Sequence, residues 1–274
     1  MLCSSLNRHR NCKTLKVSDY LKRSGHETVW LIAHALGVSH SEVYAHSEFT
    51  PDECAKIEAV ISRRENGEPL QYIMGKADFF GRDFSVGEGV LIPRHDTETL
   101  IYATMKLFAQ DEEFSFIDWG TGSGCIAITL LMEFQKARGY LVEASPNATR
   151  YARENLTRYD LADRAEIFPD MSTLQECRLL ISNPPYIPSN EISGLMKTVR
   201  DYEPHSALDG GTDGLTYYRQ IFRETERLKC EYIILEIGSI NQVQSLQSIS
   251  NKFALCDKIF DDGNFPRCLV FKKE

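Results

Sequence analysis

Asn183-Pro184-Pro185-Tyr186 is the stretch whose residue types could do chemistry. The Asn183 side chain carries an amide oxygen, and neighbouring carbonyls add further acceptors. Tyr186 offers a flat ring on which a planar group can stack. Together they suit a planar –NH2 with two protons to give, as in adenine, cytosine or a glutamine side chain. The same tetrapeptide could also be a proline-rich turn with an exposed tyrosine, so its setting has to decide. The apolar run Leu179-Leu180-Ile181 before it reads as a parallel strand buried on both faces. Pro184 lacks an N–H and ends that strand, and it holds Asn183 extended. The group therefore stands at the carboxyl end of a strand, where open α/β sheets bind ligands.

A second motif lies upstream. Phe114-Ser115-Phe116-Ile117 reads as a strand, the acid Asp118 ends it, and Gly120-Thr121-Gly122-Ser123-Gly124 leads into a helix predicted from Cys125 to Phe134. The glycines permit positive φ and close approach of a ligand to the backbone. The spacing is G-x-G-x-G, and Cys125 occupies the place where a dinucleotide loop needs glycine. Asp118 would repel a pyrophosphate and suits a cation. Tyr140-Leu141-Val142 reads as the next strand, with Glu143 at its end about twenty residues beyond the loop, where an acid can take both ribose hydroxyls. A nucleoside bearing positive charge and little phosphate fits, and S-adenosylmethionine is such a molecule. After a third strand, Ala165 to Phe168, Asp170 is placed to meet the adenine amino group and Met171 the adenine face. A solvated loop acid is the plain alternative for Asp170.

The remaining elements place these motifs. Up to about Thr14 the chain is polar and expected to fray. Helices are predicted from His26 to Leu36, stopped by Gly37, and from Ser39 to Ala45. Another begins at Thr50-Pro51-Asp52-Glu53 with a cap, a first-turn proline and acids. His34, His40 and His46 lack ligand spacing and read as ordinary surface or core histidines. Residues 1–68 form a helical domain in this reading, 69–93 a hairpin linker, and 94–274 the catalytic domain. Thr97 or Asp96 is expected to cap a helix from Glu98 to Phe108. Ser145-Pro146 starts a further helix. A long polar segment follows Tyr186 and is expected to be functional because of its length. A helix from Leu215 to Leu228, a strand from Tyr232 to Leu235, a helix capped by Ser239, and a closing hairpin around Asp262-Gly263-Asn264 complete a doubly wound α/β sheet.

Composition sets bounds on the class. The chain has 274 residues, 31 basic and 39 acidic, a formal charge of −8, which disfavours a broad grip on nucleic acid. The eight cysteines are scattered without a C-x-x-C pair, against zinc and against a redox motif. There is no apolar stretch of membrane-spanning length. No apolar run follows Arg8, Arg10 and Lys13, so a secretory signal is not expected; reduced thiols in a cytosol are the default. Asn147-Ala148-Thr149 and Asn155-Leu156-Thr157 match glycosylation sequons but carry no weight in that setting.

The chain resembles the glutamine methyltransferases of peptide-chain release factors, the HemK/PrmC type. The resemblance spans nearly the whole chain. It is carried by Gly67-Glu68-Pro69-Leu70-Gln71-Tyr72-Ile73-Met74-Gly75, Leu91-Ile92-Pro93-Arg94-His95-Asp96-Thr97-Glu98, the Asp118–Gly124 loop, Asn183-Pro184-Pro185-Tyr186 and Arg200-Asp201-Tyr202-Glu203-Pro204. The Ile-Pro-Arg and Arg-x-Tyr-Glu-Pro elements separate this family from adenine methyltransferases that share Asn-Pro-Pro-Tyr. His95, Trp119, Glu143 and Met171 depart from the residues usual there: proline, leucine, aspartate and, in many members, tryptophan. The resemblance implies a seven-stranded, mostly parallel methyltransferase sheet behind a small helical bundle that recognises substrate. It implies S-adenosylmethionine as donor and S-adenosylhomocysteine as product. The substrate would be the side-chain amide of the Gly-Gly-Gln glutamine in class I release factors, and the enzyme cytoplasmic. Asn183, Pro184 and Tyr186 would act in catalysis, and Asn183, Pro184, Pro185 and Tyr186 in substrate binding. Asp118, Gly120, Thr121, Gly122, Ser123, Gly124, Glu143, Asp170, Met171 and Asn183 would hold the cofactor. No metal, membrane or direct nucleic-acid partner is expected, and a monomer is. An amino-methyltransferase acting on adenine in DNA or RNA is the rival, and a methyltransferase fold that only binds a partner is a second.

Overall fold

The computed structural model describes residues 16–274; the expectation for the polar N-terminal stretch lies outside them. The chain divides into two compact units, Met1–Met74 and Gly75–Glu274.

The first unit is helical: α1 (Val17–Ser24), α2 (Glu27–Leu36), α3 (His40–Ala45), α4 (Pro51–Glu65) and α5 (Leu70–Met74). Ser39 and Thr50 cap α3 and α4 in reciprocal boxes with Glu42 and Glu53, satisfying first-turn N–H groups. Tyr20, Leu31, Ile32, Val43, Phe49, Ile57 and Ile61 form its core. The first part of the stretch 69–93, read above as a hairpin linker, instead contains α5, with Tyr72 and Ile73 buried. A five-residue helix is too short to show a period.

In the second unit, β1 (Lys76–Phe79) and β2 (Arg82–Ser85) form an antiparallel hairpin. Then come α6 (Glu98–Leu107), β3 (Ser115–Trp119), α7 (Cys125–Glu133), β4 (Arg138–Val142), α8 (Pro146–Arg158), β5 (Ala165–Phe168) and β6 (Leu179–Ser182). The short α9 (Lys197–Arg200), α10 (Thr216–Thr225), β7 (Tyr232–Glu236), α11 (Ile240–Ile249), β8 (Phe253–Phe260) and β9 (Pro266–Lys273) follow. The seven-stranded sheet has the order β5-β4-β3-β6-β7-β9-β8. It is parallel except for β9, which runs antiparallel to both β7 and β8.

Successive side chains on a strand face opposite ways, and here both faces are covered. Phe116, Leu179, Ile181 and Ile234 pack with residues of α6, α7 and α8. Ile117, Leu180, Ile233 and Leu235 pack with residues of α10 and α11. This is the doubly wound architecture the sequence predicts. The chain leaves β3 toward β4 and β5, then returns to β6 on the other side of β3. That reversal is the topological switch point, and it opens a crevice at the carboxyl edge. Register places Asp118 opposite Ile181, and Ser182 opposite Leu235. Asn183 and Glu236, each one residue further on, therefore come out side by side.

Candidate active site

The cofactor side of the crevice is built on the β3–α7 turn. Gly120, Gly122 and Gly124 have φ of 71°, 58° and 82°, a region that favours glycine. Asp118 is fully buried; its Oδ2 accepts from the Thr121 hydroxyl at 2.5 Å and from Ala127 N–H at 3.2 Å. Its Oδ1 and the Ser123 hydroxyl are buried without a hydrogen-bond partner among the described residues. Burial pushes the Asp118 carboxyl up to about 7, against the pull of those two donors. Glu143 accepts from Gly122 N–H at 2.9 Å and from Ser145 N–H at 2.8 Å, so the acid at the end of β4 is lashed to the glycine loop. Asn155 is fully buried on α8 and donates to the carbonyls of Ser123 and Ser85 while accepting from Ser85 N–H. The second sequon is thus an internal tie between glycine loop and hairpin.

This side fits S-adenosylmethionine. A cation satisfies the free Asp118 oxygen, and its charge offsets the cost that raises the carboxyl. Nothing stands within 4 Å of where a Cβ on Gly120 would project, so the loop backbone is open to a ligand. Asp170 is exposed and accepts from Ser172 N–H at 2.7 Å, and the bonds from Ser172 hold its carboxyl below the usual range. Met171 is only 1% exposed and packs in the apolar layer with Val142 and Leu174. Of these two neighbours, Asp170 is the one presented to solvent.

The substrate side is built on the loop after β6. A cavity of about 110 Å³ is lined by Leu91, Arg94, Asn183, Pro184, Tyr186 and Leu208, among others. Asn183 Nδ2 donates to the Thr97 hydroxyl at 3.1 Å, which leaves its amide oxygen for another donor. Thr97 is buried, and its side chain does not cap α6 as the sequence suggested; it faces Asn183 instead. Tyr186 donates to Oε1 of the buried Glu236 at 3.3 Å. Burial pushes Glu236 up to about 7, while Thr97, Arg267 and Tyr186 pull it back. Burial, and next the charge of Glu236, raise the Tyr186 phenol above its usual value.

The long segment after Tyr186 braces this loop. Ile187 N–H donates to Leu208 O, and Gly210 N–H to Ile187 O at 2.8 Å. A Cβ on Gly210 would lie 2.8 Å from Pro185 O and from Tyr186 backbone atoms, so close packing requires glycine there. The Gln242 amide donates to Tyr186 O and Gly214 O and accepts from Gly238 and Ser239 N–H. Glu203, nearly fully buried, accepts from Ile92 N–H at 3.1 Å and pairs with Arg94. Two sequence motifs about a hundred residues apart are thereby joined at the cavity.

With this geometry in view, the comparisons are specific. A family model described as the PrmC N-terminal domain matches residues 13–75, and one described as the methyltransferase small domain matches residues 96–198. A release factor glutamine methyltransferase of Geobacter sulfurreducens is 36% identical over 238 residues, covering 84% of this chain and 82% of that protein. One of Koribacter versatilis is 38% identical, covering 84% of each. The chain belongs to the release factor glutamine methyltransferase family. It has the methyltransferase fold and, as a family member, takes S-adenosylmethionine as methyl donor. A crystal structure of a methyltransferase from Pyrococcus furiosus, 15% identical with a TM-score of 0.52, covers 79% of this chain and 98% of its own and agrees in fold. No helix among the described residues is long and apolar enough to cross a membrane.

Sequence reasoning missed five residues of this family member's crevice. Thr97, Arg94 and Glu203 lie within motifs already singled out, but their partners are distant in the chain. Glu236 had a local signal, an acid directly after the apolar run Ile233-Ile234-Leu235, the same arrangement that drew attention to Asp118. Gln242 has no such signal.

Proposed function

We propose that this chain transfers a methyl group from S-adenosylmethionine to the side-chain amide nitrogen of the glutamine in the Gly-Gly-Gln loop of class I release factors. The observation that carries the reading is the orientation of Asn183: its N–H end is tied to Thr97, and its oxygen is left for a donor at the wall of the cavity. An amide nitrogen is a weak nucleophile because its lone pair is conjugated. Asn183 Oδ1 and the Pro184 carbonyl would accept its two N–H groups and turn the lone pair toward the methyl. They would also stabilise positive charge developing on nitrogen. Orientation and fixed dipoles supply such catalysis. Tyr186 and Pro185 would line the approach of the planar amide. Asp118, Glu143, Asp170 and the Gly120–Gly124 backbone would hold the cofactor, whose sulfonium supplies the electrophilic methyl when bound. The nitrogen would gain the methyl, the sulfur would keep the bonding pair, and one amide proton would be lost to solvent.

The helical first unit would recognise the release factor, and the enzyme would act in the cytoplasm as a monomer without contacting nucleic acid directly. The test is transfer of labelled methyl to purified release factor, beside a factor with the Gly-Gly-Gln glutamine changed to alanine, DNA and tRNA. Label on the unaltered factor alone is expected. Label on nucleic acid would overturn the reading in favour of an amino-methyltransferase acting on adenine.

A further inference from the structure

Beyond the groups that would touch substrate, we propose that Glu236, acting through Thr97, fixes the direction of the hydrogen bond that turns the Asn183 amide oxygen toward the substrate. The inference rests on the reading of Asn183 given above. It starts from a question of polarity. A threonine hydroxyl has one proton and can accept as well as donate. If it accepts from Asn183 Nδ2, its proton must go elsewhere. If it donates to Asn183, the amide must be flipped, with –NH2 facing the substrate's own –NH2.

The surroundings of Thr97 decide between these. Glu236 ends β7 next to Asn183, Thr97 is bonded to that same Asn183, and the Thr97 side chain draws the Glu236 carboxyl down, so hydroxyl and carboxylate are neighbours. An ionised carboxylate only accepts. Oε1 already receives the Tyr186 hydroxyl at 3.3 Å, while Oε2 is buried without a hydrogen-bond partner among the described residues. The free acceptor draws the Thr97 proton, Thr97 then accepts from Asn183 Nδ2 at 3.1 Å, and Asn183 Oδ1 points outward. Glu236 thus orders both functional side chains of the loop, Tyr186 directly and Asn183 through one hydroxyl. It does not reach the reacting atoms and is a positioning residue.

Glu236→Gln is nearly isosteric and reverses the relay. With Tyr186 donating to the amide oxygen, the new –NH2 faces Thr97 as a donor, Thr97 donates onward, and Asn183 flips. The expected result is a kcat about a hundredfold lower, the scale for one misdirected preorganised contact, with cofactor affinity by calorimetry within about threefold of wild type. Thr97→Val should behave alike, and Thr97→Ser, which restores the hydroxyl, should recover most of the rate. The readout that needs no turnover is the Asn183 side-chain –NH2 signal in 15N-edited NMR, assigned by its loss in Asn183→Asp. It should shift and lose exchange protection in Glu236→Gln and Thr97→Val but not in Thr97→Ser. An unchanged Asn183 signal in Glu236→Gln overturns the inference, whatever happens to the rate. Should that variant fail to fold, equal signals in Thr97→Val and Thr97→Ser overturn it instead. A wild-type enzyme that labels no release factor, with the NMR shifts present, would remove the proposed substrate and leave the relay standing.

Discussion

Replacing Asp118 by asparagine should stabilise the ligand-free chain at alkaline pH while weakening its hold on cofactor. The carboxyl moves from an ordinary 3.8 up to about 7, chiefly because it is buried. As pH rises through that window the unfolded chain loses the proton and the folded chain keeps it. Stability therefore falls across the window and is level above it. At about 1.36 kcal/mol per pKa unit the cost is ~4 kcal/mol at pH 8 and ~2 kcal/mol at pH 5.5. Asparagine avoids that cost. Its oxygen can take the Thr121 and Ala127 donors, but its –NH2 then occupies the place of the partnerless Oδ1, at a cost of about 1–3 kcal/mol. The net gain is ~2 kcal/mol at pH 8 and ~0 at pH 5.5. For a domain of this size that is a Tm about 4–8 °C higher at pH 8, and unchanged at pH 5.5. Scanning calorimetry of both proteins at the two pH values measures this. S-adenosylmethionine affinity at pH 8 should fall by about tenfold or more through loss of a charge-assisted contact. A Tm difference that does not vary with pH would refute the argument, because it would mean that Asp118 does not titrate in this window.

Three further outcomes are expected. Asn183→Ala should lower kcat by about a hundredfold or more, the scale for losing one preorganised polar contact; steady-state kinetics with release factor would expose a near-normal rate. Gln242→Ala removes an amide that makes four hydrogen bonds to backbone groups around Tyr186, Gly214, Gly238 and Ser239. It should cost about 2–4 kcal/mol in urea unfolding, and a loss under 1 kcal/mol would mean these groups find other partners. Gly238→Ala would place a methyl 2.4 Å from two atoms of the Tyr186 ring. Displacing that ring should lower kcat/KM for release factor by about 10–100-fold without altering cofactor affinity, and equal kinetics would count against a substrate-side role for Tyr186.

What could be read from the chain beforehand divides by range. The centre of the sheet was legible because β3, β6 and β7 are short, mainly apolar runs and the turns after β3 and β6 carry their own chemistry: three glycines after Asp118, two prolines after Asn183. These are local constraints, visible within about ten residues. Thr97 was misread because Thr before Glu at a helix start is also the pattern of a cap. Its true partner lies 86 residues away. Glu203 and Arg94 are 109 residues apart, and only the closed fold shows that one neutralises the other. Met171 is a case of burial rather than range. Spacing placed it past the end of a strand, but only packing shows its side chain turned into the apolar layer.

The switch point explains why such long-range ties gather here. β6 returns between β3 and β7, so its carboxyl end is flanked by the ends of both neighbours. Each neighbour ends with a buried acid, Asp118 on one side and Glu236 on the other, and burial pushes each up to about 7. Each acid keeps one carboxylate oxygen without a hydrogen-bond partner among the described residues, Asp118 Oδ1 and Glu236 Oε2. The two have different remedies. Asp118 faces the glycine loop, where a cation can arrive with the cofactor. Glu236 lies beside Thr97 and Tyr186, and the Arg267 charge pulls its carboxyl down from within the chain. One acid is therefore available to bind a ligand, and the other can act only by ordering the residues in front of it. Ser182, between them, donates to Trp119 O at 2.6 Å and ties β6 to β3, so the loop that would meet substrate is fixed to the frame that would meet cofactor. The stability cost of Asp118 is thus the measurable sign of a buried charge left for the cofactor to balance.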